Sequence, residues 1–269
     1  MAKLTLADIQ QLKNDGTKGV MWIAYSFEMA RIIDHAEPDM FLVGDSGSRF
    51  LLGHEESNDT TVDEMIIMGR SVVRASQHAP VIVDMPFMSY QVSIEEAVRN
   101  AGRIVKETRC DGIKLEGGAD FAPVVEALVK VGIPVMAHMG LTPMLASAIG
   151  GMRGGATLPE ETVWRDARAL QDAGAFSLVL TGIKPPLTEE ITKEMRIPTI
   201  AGYLAGDECD ILLGWPFTFG FGLGNVDNPS AAYGNVGKTI YDGAAAYIAD
   251  VRAGTRRTAP RQPAGQATS

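Results

Sequence analysis

The chain holds little cysteine, little positive charge and no long apolar run, and each shortage excludes something. Its two cysteines, Cys110 and Cys209, lie far apart and form no Cys-x-x-Cys pair. That excludes a disulfide framework and fits a reducing cytoplasm. No uninterrupted apolar stretch approaches the ~20 residues needed to cross a bilayer. The N-terminal MAKLTLADIQQLKNDG lacks the apolar core of a signal peptide. Against 33 Asp and Glu stand only 24 Lys and Arg, for a net charge of −9 and a pI of about 5.0. This balance argues against nonspecific binding to nucleic acid or to an anionic membrane.

What is present is a globular chain of 269 residues, 46% of them hydrophobic, long enough to bury a sizeable core. Short apolar runs recur as strand candidates: VMWIAY (20–25), MFLVGD (40–45), PVIVDM (80–85), GIKLEG (112–117), PVMAHM (134–139), FSLVLTG (176–182), PTIAGY (198–203) and DILLGW (210–215). Helical patterns fall between them over 62–76, 93–108, 121–132 and 161–174. Ser93 and Glu96 have capping-box spacing, and Gly132 and Gly174 stand where helices should stop. Eight strands in a β-α repeat predict a single-domain (β/α)8 TIM barrel over 1–254, with a last helix near 236–252 on its outside. A doubly wound open sheet is the alternative, but no glycine-rich fingerprint follows the first strand. The Pro/Ala/Gln-rich tail, 255–269, reads as disordered. GNVGKT (234–239) ends like a phosphate-binding loop, yet Ala232 replaces the first required glycine. IGGMRGG (149–155) is either a loop over the site or a plain connection.

In such a barrel, chemistry collects at the C-terminal ends of the strands. Read in order, those ends carry Asp45 and Ser46, Asp84, Lys114 and Glu116, then His138. Lys114 and Glu116 are two residues apart, so a strand points both to one face. Carboxylates without cysteine and with one histidine suit a hard cation, most simply Mg²⁺. A 2-oxo acid chelates such an ion through its carboxylate and keto oxygen, and the ion then stabilises an enolate. Lys114 balances the substrate carboxylate or the enolate oxygen.

The segments VGDSGS (43–48), DMPFMSY (84–90), NAGR (100–103), IKLEGG (113–118) and GIPVMAHMGLTP (132–143) resemble the ketopantoate hydroxymethyltransferase family of the phosphoenolpyruvate mutase/isocitrate lyase superfamily. The resemblance is close over about 20–143 and weaker beyond. It implies a Mg²⁺-dependent barrel, assembled as a decamer, that moves a hydroxymethyl group from methylenetetrahydrofolate to a branched 2-oxo acid. By matching motif, Asp45 and Asp84 would hold Mg²⁺ and also contact substrate, and Glu116 would complete the metal shell. Ser46 and Lys114 would bind the oxo acid, with His138 at the site beside it.

Three departures from the family pattern stand out. Thr181, in LVLTGIKPP, replaces the family's general-base glutamate, and a neutral hydroxyl is no proton acceptor near pH 7. The glycine-rich segment after the seventh strand becomes AGYLAGDECDILL (201–213), and Met144 follows GLTP. Three readings follow: a hydroxymethyltransferase whose base has moved to His138, Asp207 or Glu208; a lyase, aldolase or decarboxylase on the same scaffold; or a barrel that binds an oxo acid without turnover. The apolar, glycine-rich WPFTFGFGLG (215–224) and the family's habit of assembly both predict an oligomer.

Overall fold

The computed structural model describes residues 3–145, 158–222, 224–228, 231 and 233–255. Eight strands alternate with helices: β1 Gly19–Ile23, β2 Met40–Val43, β3 Val81–Asp84, β4 Gly112–Glu116, β5 Val135–Gly140, β6 Ser177–Thr181, β7 Thr199–Ala201 and β8 Ile211–Gly214. Every neighbouring pair is parallel, and β1 pairs with β8, so the sheet closes into the expected barrel. β2, β3, β4 and β6 are buried along their whole length. Burial on both faces explains why they read as continuous apolar runs rather than as alternating ones.

The predicted helices form as α4 Val62–Ala75, α5 Ile94–Thr108, α6 Ala122–Lys130 and α7 Glu160–Asp172. Four further helices were not read from the sequence: α1 Leu6–Asp15, α2 Phe27–Asp34, α3 Gly47–Leu51 and α8 Leu187–Glu194. Each spans ten residues or fewer, too short for a clear period. The capping expectation at α5 holds by half, since the Ser93 side chain accepts from the Glu96 backbone N–H. Reciprocal capping boxes form instead at Thr5 and Asp8 of α1 and at Thr61 and Glu64 of α4. Gly132 and Gly174 follow α6 and α7 with φ of 85° and 97°, the left-handed conformation that ends a helix.

The β-α alternation breaks once. Residues 202–210, between β7 and β8, contain no helix. Lys18 instead pins this connection by donating to the carbonyls of Asp207 and Cys209, and Asp210 accepts from Lys13 and from Thr199.

The chain falls into two compact units, Met1–Gly214 and Trp215–Ser269. All eight strands lie in the first unit. In the second unit a short turn, Pro216–Phe219, precedes α9 Gly224–Asp227 and α10 Val236–Ala253. Gly237 N–H donates to the Gly220 carbonyl at 2.9 Å. The predicted last helix is α10, and none of its residues is buried. IGGMRGG, Ala232 and the tail beyond residue 255 lie outside the described residues. Among the described residues no helix is long and apolar enough to cross a membrane.

Candidate functional site

Sheet register brings the strand-end side chains together. Asp84 is the register partner of Lys114, Glu116 of His138, and Gly140 of Thr181. Asp45 follows β2, and its backbone N–H donates to Asp84 Oδ2 at 3.1 Å. The Lys114 ammonium sits 3.0 Å from Asp84 Oδ1 and 3.3 Å from Glu116 Oε1. His138 Nδ1 lies 3.0 Å from Glu116 Oε1, and its Nε2 lies 2.7 Å from Thr181 Oγ1. All six of these side chains are buried. Ser46, half-buried beside Asp45, has its Oγ 2.9 Å from the Tyr25 hydroxyl.

Burial and crowding shift these groups in opposite directions. Burial, with Asp84 close by, pushes the Asp45 carboxyl up to about 7. Burial also raises Asp84, against the pull of the Lys114 ammonium. For Lys114, burial favours the neutral amine, but Asp84, Glu116 and Asp45 overcome it and hold the ammonium above the usual lysine range. Glu116 is buried too, yet His138, Lys114 and the Met144 N–H carry it well below the usual carboxylate range. Like charges and desolvation thus act on the aspartates, and opposite charges act on the glutamate.

Asp45 and Asp84 fit a hard cation. Asp45 Oδ2 and Asp84 Oδ1 are buried without a hydrogen bond, and only the ionic contact to Lys114 approaches the second. A bound divalent ion would satisfy such oxygens and lower both raised carboxyls. Glu116, the expected third ligand, turns its oxygens to other groups. Its Oε1 faces His138 and Lys114, and its Oε2 accepts from Met144 N–H at 3.0 Å.

Two tyrosines escaped the sequence reading. Tyr90 lies inside DMPFMSY, and its hydroxyl donates to the Glu116 carbonyl at 2.8 Å while the Glu116 N–H donates back at 3.1 Å. It also reaches Met144 Sδ at 3.4 Å, so the Met144 departure has both a backbone and a side-chain task here. Tyr25 follows β1 in AYSFE; a phenol at a strand end was the one available signal. Glu208, a candidate base, is spent elsewhere. It accepts from Thr188 Oγ1 and from Gly206 N–H. For Asp207 the contact is its carbonyl, held by Lys18.

The backbone closes tightly around Thr181. Gly202, after β7, approaches so closely that a Cβ there would strike Thr181 Oγ1. Gly140, with φ of 96°, likewise leaves no room for a Cβ against the Thr181 carbonyl. Both glycines are required by this approach.

Comparison with known proteins gives the family and the fold. The sequence profile described as ketopantoate hydroxymethyltransferase matches residues 3–256. A 3-methyl-2-oxobutanoate hydroxymethyltransferase of Prosthecochloris aestuarii is 41% identical over 262 residues, covering 94% of this chain and 93% of that protein. One of Rhodococcus jostii is 40% identical, covering 92% and 86%. Among solved structures, 2,3-dimethylmalate lyase, a PEP mutase/isocitrate lyase superfamily member, superposes with a TM-score of 0.63 at 16% identity, over 98% of this chain and 92% of that one. Phosphonopyruvate hydrolase, solved with oxalate and Mg²⁺, gives 0.63 at 12% identity, over 94% and 89%. At these identities the likeness extends to the fold.

Proposed function

The chain belongs to the ketopantoate hydroxymethyltransferase family, and on that footing we propose that it transfers a hydroxymethyl group from methylenetetrahydrofolate to 3-methyl-2-oxobutanoate. The observation that carries this reading is the buried Asp45 Oδ2, which has no hydrogen-bond partner, beside Asp84 Oδ1, which meets the Lys114 ammonium. Asp45 and Asp84 would hold Mg²⁺, which when bound supplies Lewis-acid charge to a keto oxygen. Lys114 would take the substrate carboxylate. The Ser46 and Tyr25 hydroxyls would orient it, and His138 with Thr181 would handle the proton at C3. Glu116 would act through Lys114 and His138, since its oxygens are already engaged.

The same site also supports cleavage of a carbon–carbon bond next to a 2-oxo acid, because Thr181 replaces the family's glutamate. One incubation separates the two readings. With Mg²⁺, methylenetetrahydrofolate and 3-methyl-2-oxobutanoate, the transferase forms 4-hydroxy-3,3-dimethyl-2-oxobutanoate, detected by mass spectrometry. A lyase forms none and instead releases formaldehyde when that hydroxy acid is supplied alone. Two further properties belong to the proposal. Free, buried Cys110 and Cys209 suit a cytoplasmic protein. Exposed Ile240, Ile248 and Val251 on α10 suit a homo-oligomer.

A further inference from the structure

We propose that Glu116, His138 and Thr181 form a proton relay, in which the Thr181 hydroxyl takes the hydrogen from C3 of the bound 2-oxo acid as it hands its own to His138 Nε2. This rests on the reading of the site as one that enolises a 2-oxo acid. The geometry has three links. Glu116 Oε1 is 3.0 Å from Nδ1, Nε2 is 2.7 Å from Thr181 Oγ1, and the absence of a side chain at Gly202 leaves that oxygen its room.

The proton positions follow from the first link. A carboxylate oxygen only accepts, so a contact of 3.0 Å to an unprotonated ring nitrogen would set lone pair against lone pair. Nδ1 therefore carries a ring proton; in the neutral ring Nε2 is then an acceptor facing the hydroxyl, the state the relay requires, whereas an imidazolium donating at both nitrogens would overturn it. Lys114 also lies 3.3 Å from Nδ1, farther than Glu116 Oε1 at 3.0 Å, and its ammonium is drawn to the two carboxylates, Asp84 Oδ1 and Glu116 Oε1. Threonine alone is no base. Threonine whose proton is already hydrogen-bonded to an oriented imidazole is one, by the logic that activates any hydroxyl beside a histidine and an acid. The step balances: the C3–H bond breaks and an O–H bond forms at Oγ1. The former Oγ1–H passes to Nε2, and the C3–H electron pair becomes the C2–C3 double bond as the keto oxygen takes the negative charge. The imidazolium is held by Glu116. Reversal with a solvent-derived deuteron gives exchange at C3.

Only the structure shows why the lost glutamate leaves no gap. Of the residues that could have replaced it in sequence, Glu208 has its carboxylate on Thr188 and Gly206, and Asp207 has its carbonyl held by Lys18. The imidazole reaches Thr181 directly.

The test is loss of the C3–H signal of 3-methyl-2-oxobutanoate in D₂O with Mg²⁺ and no folate, followed by proton NMR. Thr181→Val keeps the shape and removes the hydroxyl; exchange should fall about 10²-fold or more, with oxo-acid binding retained. Thr181→Ser should restore it to within about tenfold of the parent, a rescue that a packing role for the methyl group would not give. Parent-like exchange by Thr181→Val overturns the relay while leaving enolisation standing. No exchange by the parent protein overturns enolisation itself, and the relay with it. If Thr181→Val does not fold, ¹⁵N NMR of the parent protein decides: Nδ1 protonated and Nε2 bare supports the relay, and the opposite tautomer overturns it.

Discussion

On the β2–β4 side of the barrel mouth, Asp45, Asp84 and Lys114 place charge in buried positions, and two carboxylate oxygens there have no hydrogen bond. On the β5–β6 side, His138 and Thr181 are equally buried, yet a continuous line of contacts runs from Glu116 to the threonine hydroxyl. On the proposed reading, the first side takes a cation. The second is complete within the protein and needs only something to give it a proton. The difference separates binding from proton handling. Fixed charge is costly to bury alone, and on the proposed reading a guest ion compensates it on the first side, while on the second the Glu116 charge meets Lys114 and His138.

Removing charge from the first side should have the largest effect. Asp84→Ala takes away a cation ligand and the partner of Lys114, so activity should fall by about 10³-fold or more. Calorimetry should show Mg²⁺ binding lost as well. Mg²⁺ binding of parental strength in this variant would remove the distinction between the sides. Next is Glu116→Gln, which keeps the shape but weakens the hold on His138. C3 exchange should drop about 10²-fold with Mg²⁺ affinity changed little. A large loss of Mg²⁺ affinity would instead make Glu116 part of the cation site.

The pH dependence of stability sharpens the contrast. Between about 4 and about 7 the folded, metal-free protein keeps a proton on Asp45 that the unfolded chain has released. Stability must therefore fall as pH rises through that window, and Asp84, also raised, acts in the same sense. Glu116 acts oppositely: its contribution is lost only as pH falls below the ordinary glutamate range. Thermal unfolding in chelator should show the fall, and Asp45→Asn should flatten it. A midpoint that rises from pH 4 to 7 equally in both proteins would contradict the assignment. The smallest effect is expected for Tyr25→Phe, which removes one hydrogen bond to Ser46. At about 1 kcal/mol, KM for the oxo acid should rise about fivefold with kcat nearly unchanged.

The two sides were also unequally legible in the sequence. Eight apolar runs gave the barrel, and alternation along GIKLE gave the shared face of Lys114 and Glu116. Residue type alone brought Asp45, Asp84 and His138 to the strand ends. The proton-handling side was hidden because it depends on register. Only the pairing of Gly140 with Thr181 shows that the hydroxyl meets the imidazole. Nothing in AGYLAGDECDILL shows that the Glu208 carboxylate is spent on Thr188, that Lys18 holds the Asp207 carbonyl, or that Gly202 is the part that lies against the site. Nor does spacing reveal that Glu116 turns toward His138 rather than toward the aspartates, a choice made by the Met144 N–H and the ring nitrogen together.

Hydrogen exchange at C3 of 3-methyl-2-oxobutanoate by the unaltered protein, without folate, tests the division most directly when it is followed before and after removal of Mg²⁺. The account predicts exchange with the ion present, its loss on chelation, and its return when Mg²⁺ is restored. Exchange that continues undiminished in chelator would contradict it, because the Asp45–Asp84 side would then have no part in drawing the proton from carbon.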